Sequence, residues 1–208
     1  MNILLLNSQK NNTYIRKLKR ILESNNDDKL IIYKKKIKLD YIKKNKINLI
    51  ISFHYKYFVP LDVLKFLKFN AFNFHNSNLP LNKGMYPVLW SAVSNQFATC
   101  LHQMTKRVDE GAIVFKKKIK IKNNKSLYFA YHLLEKNSID SFNKIWKNLR
   151  KKISYNQKIY FIKQNRNIKS YNNDLKSQIL LSTLPDRWFT EIKHVQKNFK
   201  NICKLFKS

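Results

Sequence analysis

The sequence predicts an α/β fold around a mainly parallel, twisted sheet, with a short, mostly helical C-terminal appendage. Three observations predict it. Short apolar runs alternate with basic amphipathic stretches through the first half of the chain, several runs are rich in β-branched residues, and the pattern weakens after about residue 153. The expected division is therefore residues 1–153 as one domain and 154–208 as its appendage.

The elements follow in chain order. "NILLL" (2–6) reads as a buried strand, and "TYIRKLKRILES" (13–24) places Ile15, Leu18, Ile21 and Leu22 at helical spacing. "KLIIYK" (29–34) and "INLIISF" (47–53) are the second and third strands. "PLDVLKFLK" (60–68) opens with proline at a helix start and carries Val63, Leu64 and Leu67 on one face. "FNAFNF" (69–74) is a fourth strand. Strands that alternate with helices imply a parallel sheet with right-handed crossovers. Beyond it come a helix in "PVLWSAVSN" (87–95), strands in "FATCLHQMT" (97–105) and "AIVFKKKIKI" (112–121), and a long helix over 126–152. A last amphipathic helix is expected around 186–206.

Composition narrows the classes. No apolar run approaches the roughly 18 residues of a membrane span, and "MNILLLNSQ" lacks the basic segment and small-residue cleavage site of a signal peptide. The expected compartment is the cytoplasm. Cys100 and Cys203 have neither the number nor the spacing for a disulfide framework or a zinc site. A net charge of +30 invites a nucleic-acid reading. Against it, the basic residues are 36 Lys and six Arg, whereas planar, bidentate phosphate recognition favours Arg. A positive field of that size still raises the encounter rate with any anionic substrate.

The segment "FNFHNSNLP" (72–80) puts an amide, an imidazole and a hydroxyl at alternate positions, Asn73, His75 and Ser77. Residues two apart on an extended segment project to one side. In an open α/β sheet the carboxyl ends of the strands border the ligand crevice. An Asn amide is a neutral donor suited to a developing oxyanion, and an imidazole can take or give a proton near neutrality. The plain structural alternative is a capped strand end with a satisfied core histidine. The chain has two glycines, Gly84 and Gly111. Each is expected where a side chain cannot fit, in a left-handed turn or against a ligand.

"NFHNSNLPLNKGMYPVLWSAV" followed by "TCLHQMTKRVDEGAIV" resembles the folate-dependent formyltransferases. Their signature is Asn-x-His, Ser-x-Leu-Pro, a basic-Gly turn, a helix, a strand containing His, and Asp-x-Gly-x-Ile. The matching positions are Asn73, His75, Ser77, Leu79, Pro80, Gly84, His102, Asp109, Gly111 and Ile113. The resemblance implies a Rossmann-like formyltransferase fold and 10-formyltetrahydrofolate as co-substrate. It implies Asn73, His75 and Asp109 as the catalytic set, with Asp109 as the carboxylate that orients the imidazole. The stretch "SFHYKYFVP" looks like the loop that holds the pterin, so His54, Tyr55, Lys56, Tyr57 and Phe58, with Gly111, are the expected folate contacts. Lys83, Gly84 and Tyr86 are the expected acceptor contacts.

Comparison among branches points to the acceptor. Glycinamide ribonucleotide formyltransferases carry a glycine-rich turn after the first strand, and "LLLNSQKNN" has none. Methionyl-tRNA formyltransferases add a barrel of about a hundred residues, more than the tail can build. The remaining branch formylates nucleotide-linked amino sugars, and the chain is similar to it in "SFHYKYFVP" and in the "NKG" turn. The other amine acceptors, a basic nucleic-acid-binding protein on this scaffold, and a homodimer stay open.

Two departures from the family pattern carry expectations. Asn76 stands where the family has proline, which should loosen the loop. "HQMTKRVDEG" is expected to hold extra residues before Asp109. His102 is expected to pack within its strand, and Ser77 to bond loop backbone. Trp90, Tyr86 and Phe58 could stack on a ligand ring or pack in the core.

Overall fold

A computed structural model describes residues 1–10, 12–165, 171–172 and 174–205. The first strand, β1 (Asn2–Leu6), buries both of its faces, as a central strand of a parallel sheet must. Ile3 and Leu5 enter one apolar cluster, while Leu4 and Leu6 enter another. The amphipathic stretch after it forms α1 (Thr13–Leu22), capped by Asn12, whose side chain accepts from the Ile15 N–H. Then come β2 (Lys29–Tyr33), α2 (Leu39–Lys44), β3 (Leu49–Ser52), α3 (Leu61–Phe66) and β4 (Ala71–His75). The second half adds β5 (Lys83–Gly84), α4 (Pro87–Ser94), β6 (Phe97–Gln103), β7 (Ile113–Ile119) and α5 (Leu127–Ser154). The tail carries β8 (Tyr171–Asn172), α6 (Asp174–Ser182), a 3-10 turn (Arg187–Phe189) and α7 (Ile192–Leu205).

Six strands form one sheet in the order β2-β1-β3-β4-β6-β7, and β5 pairs with β8 in a second. The pairings of β1 with β2, β1 with β3 and β3 with β4 are parallel, so the α/β, Rossmann-like expectation holds. Pro60 is the N-cap of α3 rather than its first helical residue. β4 starts two residues later than expected because Lys68 and Phe69 turn left-handed (φ 49° and 60°) to end α3. Residue 206, the end of the helix expected at 186–206, lies outside the described residues. The helical part starts later, at Ile192, because residues 187–189 form the tighter turn.

The chain divides into two compact units interleaved along the sequence. The first comprises Met1–Phe74, Leu101–Phe115 and Ser138–Gln164. One of its cores packs α1 residues Ile15, Leu18 and Leu22 with Phe72 and with Phe142, Trp146 and Leu149 of α5. The other gathers Leu4, Leu6 and Ile50 with Ile42, Val63 and Leu64. The second unit comprises His75–Cys100, Lys116–Asn137 and Asn165–Ser208. Its core joins Val88, Leu89 and Ala92 of α4 to Leu127, Ala130 and Leu134 of α5 and to Leu180, Leu184, Ile192 and Val195. Leu180, Leu184, Ile192 and Val195 thus supply core to the second unit, and 154–164 belong to the first. Among the described residues no helix is long and apolar enough to cross a membrane.

Candidate active site

In the first unit, parallel register sets Asn73 of β4 opposite Ser52 of β3, whose carboxyl end leads into residues 53–58. The Asn73 amide Nδ2 lies 3.3 Å from His102 Nε2. The same ring nitrogen is 3.2 Å from Asp109 Oδ1. His102 and Asp109 are both buried. The other ring nitrogen, Nδ1, is 3.0 Å from the Gln103 carbonyl, which can only accept, so Nδ1 is a donor. The Nε2–Asp109 contact is then attractive only when a proton lies between them. The imidazole and the carboxyl thus share one proton position, with the Asn73 amide beside it.

His102 is buried within its strand as expected, and its ring in addition reaches two of the residues expected to be catalytic, Asn73 and Asp109. The signal was present in the seven-residue spacing of His102 and Asp109 across a strand end. A strand histidine more often fills core, and that masks the spacing in the sequence. Asp109 turns left-handed at φ 54°, a conformation Asp adopts more readily than most residues. Behind it, the Gln164 side-chain amide donates to the carbonyls of Asp109 (2.9 Å) and Gly111 (2.7 Å). Gly111 is required by close approach: a Cβ there would lie 1.7 Å from the Gln103 carbonyl oxygen.

Residues 54–58 are held largely by their own unit. The Ser8 N–H donates to the His54 carbonyl (3.1 Å), and the Lys56 N–H donates to Ser8 Oγ (3.1 Å). The Tyr55 hydroxyl accepts from the Ile37 N–H and donates to the Lys35 carbonyl. Burial pushes its phenol up, against the Ile37 hydrogen bond, which lowers it. Tyr57 meets the Tyr55 ring edge-on and carries the Lys56 ammonium over its face at 5.0 Å. Phe58 is 71% exposed, an apolar ring presented to solvent.

In the second unit, His75 is buried and its Nε2 lies 2.9 Å from the Asn82 carbonyl, so Nε2 carries a proton and donates it. Ser77 Oγ donates to the Leu81 carbonyl, the structural role expected of it. Lys83 is buried, and Gly84 adopts φ 88°, the left-handed turn expected of that glycine. Tyr86 caps α4 and stacks on Trp188, with ring centroids 6.3 Å apart. Trp90 is a core residue whose Nε1 donates to Ser177 Oγ. The expected loosening at Asn76 is overturned. Its amide has both a donor and an acceptor, and buried partners engage each: Glu135 Oε1 at 2.5 Å and Thr99 Oγ1 at 3.0 Å. Among the described residues no cluster of His, Cys, Asp and Glu could hold a metal ion.

The family model described as "Formyl transferase" matches residues 22–139, more than half of the chain. The chain belongs to the formyl transferase family. Among solved structures, the formyltransferase PseJ from Anoxybacillus kamchatkensis is 27% identical with a TM-score of 0.82, over 94% of this chain and 97% of that one. That protein was solved with UDP-4,6-dideoxy-4-formamido-L-AltNAc and tetrahydrofolate. A 4-N formyltransferase from Francisella tularensis shares the fold at 19% identity and a TM-score of 0.74, over 94% and 85% of the two chains. The bifunctional polymyxin resistance protein ArnA of Wigglesworthia glossinidia brevipalpis is 39% identical over 95 residues, 43% of this formyl transferase chain and 14% of ArnA.

Proposed function

We propose that the chain transfers the formyl group of 10-formyltetrahydrofolate to the amino group of a nucleotide-linked amino sugar. The observation that carries this reading is the likeness to PseJ, which spans nearly all of both chains and whose ligands are a formamido nucleotide sugar and tetrahydrofolate. In the reaction the amine nitrogen bonds to the formyl carbon, giving a tetrahedral intermediate. The bond from that carbon to folate N10 then breaks, the amine gives up a proton, and N10 gains one.

The residues fit the demands of that step. The Asn73 side-chain amide, whose Nδ2 lies 3.3 Å from His102 Nε2, is a neutral donor suited to a developing oxyanion. His75 and Asp109 handle protons in this reading. With Nε2 of His75 donating to the Asn82 carbonyl, proton acceptance by the neutral ring falls to Nδ1. Asp109, with His102, supplies a proton position at a strand end. His54, Tyr55, Lys56, Tyr57, Phe58 and Gly111 are assigned to folate, and Lys83, Gly84 and Tyr86 to the acceptor. In this reading residues 1–153 carry the catalysis, and 154–208 are an appendage to the catalysis rather than to the packing, since Leu180, Leu184, Ile192 and Val195 lie in a core.

The test is incubation with 10-formyltetrahydrofolate and a panel of nucleotide-linked amino sugars. A product about 28 mass units heavier, formyl replacing hydrogen, is the expected result. No such product with any member, and formylation of a tRNA or ribonucleotide amine instead, would move the acceptor to another branch.

A further inference from the structure

We propose that Glu135 is a positioning residue for His75, acting through Asn76; the inference rests on the formyl-transfer reading above. Glu135 sits inside α5 with no exposed surface. A carboxylate there is a costly occupant, since an apolar side chain of similar size would fill the same space without desolvating a charge. Packing alone therefore gives no reason for it. Its contact with Asn76 supplies one: Oε1 accepts from Asn76 Nδ2 at 2.5 Å, and Asn76 directly follows His75.

The geometry fixes the amide in one orientation. Thr99 Oγ1 donates to Asn76 Oδ1 at 3.0 Å but could also accept, whereas the Glu135 carboxylate can only accept, so exchanging the amide nitrogen and oxygen would set two acceptors against each other at Glu135. Asn76 is itself buried. The peptides beside it are held as well, by the Cys100 thiol at 3.2 Å from the His75 carbonyl and 3.8 Å from the Ser77 carbonyl. Farther along, Lys116 Nζ donates to the Leu79 carbonyl at 2.9 Å. The segment then returns to the imidazole at Asn82, whose carbonyl accepts from His75 Nε2. Residues 75–82 are thus a loop closed on the histidine ring, and Glu135 anchors the residue at which the loop leaves the ring.

The test compares Glu135→Leu, Glu135→Gln, Asn76→Ala and the double variant Asn76→Ala/Glu135→Leu. Glu135→Leu should lower kcat about tenfold or more while KM for both substrates stays within about twofold. Glu135→Gln, which keeps the acceptor, should retain most of kcat. The double variant should be no slower than the slower single variant, because both break one contact. Wild-type kcat in Glu135→Leu, a Gln variant as slow as the Leu variant, or losses that multiply would each overturn the proposal. Should Glu135→Leu not fold, Asn76→Ala carries the same prediction. A wild-type chain that transfers no formyl group would sink the functional reading but leave Glu135 testable. The His75 Nε2–H proton resonance should exchange faster with water in Glu135→Leu and keep its protection in Glu135→Gln. An unchanged resonance in both variants overturns the positioning role.

Discussion

At the scale of single residues, the informative atom is His102 Nε2, which meets both the Asn73 amide and the Asp109 carboxyl. If Asp109 handles a proton in formyl transfer, Asp109→Asn should lower kcat by about 100-fold or more. His102→Phe keeps the volume but removes the shared proton position, and should lower kcat by at least about tenfold. Saturation kinetics of product formation check both, and full activity in His102→Phe would remove the imidazole from the mechanism. Gly111→Ala should destabilise the fold by roughly 3 kcal/mol or more, since the new Cβ collides with a carbonyl and not with a flexible side chain. Gly84→Ala should cost only about 1–2 kcal/mol, the strain of a left-handed residue. Urea midpoints separate the two. The two glycines were legible, since few residues suit a left-handed turn or a close backbone approach, while Asn73, His75 and Asp109 stood out as an ordered polar set whose proposed roles such variants test. His102, Asn76 and Glu135 were not. A buried His or Glu is read as core or surface until its partner is known, and the partner of Asn76 lies 59 positions away.

At the scale of elements, periodicity located those that bury one face against a neighbour. α1, β2, α4 and α5 fall where apolar spacing placed them. The short α2 and the two-residue β5 and β8 escaped detection because they carry too few apolar positions for a period. One tie between elements depends on chemistry rather than pattern. Asp28, at the entry to β2, has a fully buried side chain that accepts from Arg150 Nε and Nη2 of α5 and from the Met1 α-amino group. Burial raises the Asp28 carboxyl, but the Arg150 and α-amino hydrogen bonds and charges outweigh it and hold the group below its ordinary 3.8. A carboxyl depressed in the folded state contributes stability above its unfolded pKa, and that contribution is lost as pH falls through the folded value. Wild type should therefore lose stability on acidification below about pH 4 more steeply than Asp28→Asn. Arg150→Met should be destabilising by up to about 3 kcal/mol at pH 7, because it strips a partner from a buried charge. Its deficit should shrink at pH 3, where the carboxyl gains a proton. Denaturation midpoints at the two pH values decide this, and a deficit independent of pH would contradict it.

At the scale of the whole molecule, the +30 charge must be reconciled with the small anionic substrate proposed above. The charge is carried by 36 lysines and six arginines, point charges rather than bidentate forks. Several lysines are engaged within the chain: Lys116 holds the Leu79 carbonyl, Lys117 meets Asn137 Oδ1, and Lys43, Lys56, Lys125, Lys152 and Lys158 lie near aromatic rings. Under the proposed function, a diffuse field of this kind would serve to speed arrival of the nucleotide sugar. Raising salt from about 50 to about 200 mM should then lower kcat/KM only a few-fold, through slower encounter, with kcat unchanged. A protein that grips six to ten phosphates would lose roughly 10³–10⁵ in nucleic-acid affinity over the same range. Steady-state kinetics with the nucleotide sugar, run beside duplex DNA and RNA binding at the same two salt concentrations, separate the cases. Tight nucleic-acid association with the steep dependence would make the basic surface, rather than the strand ends, the functional face.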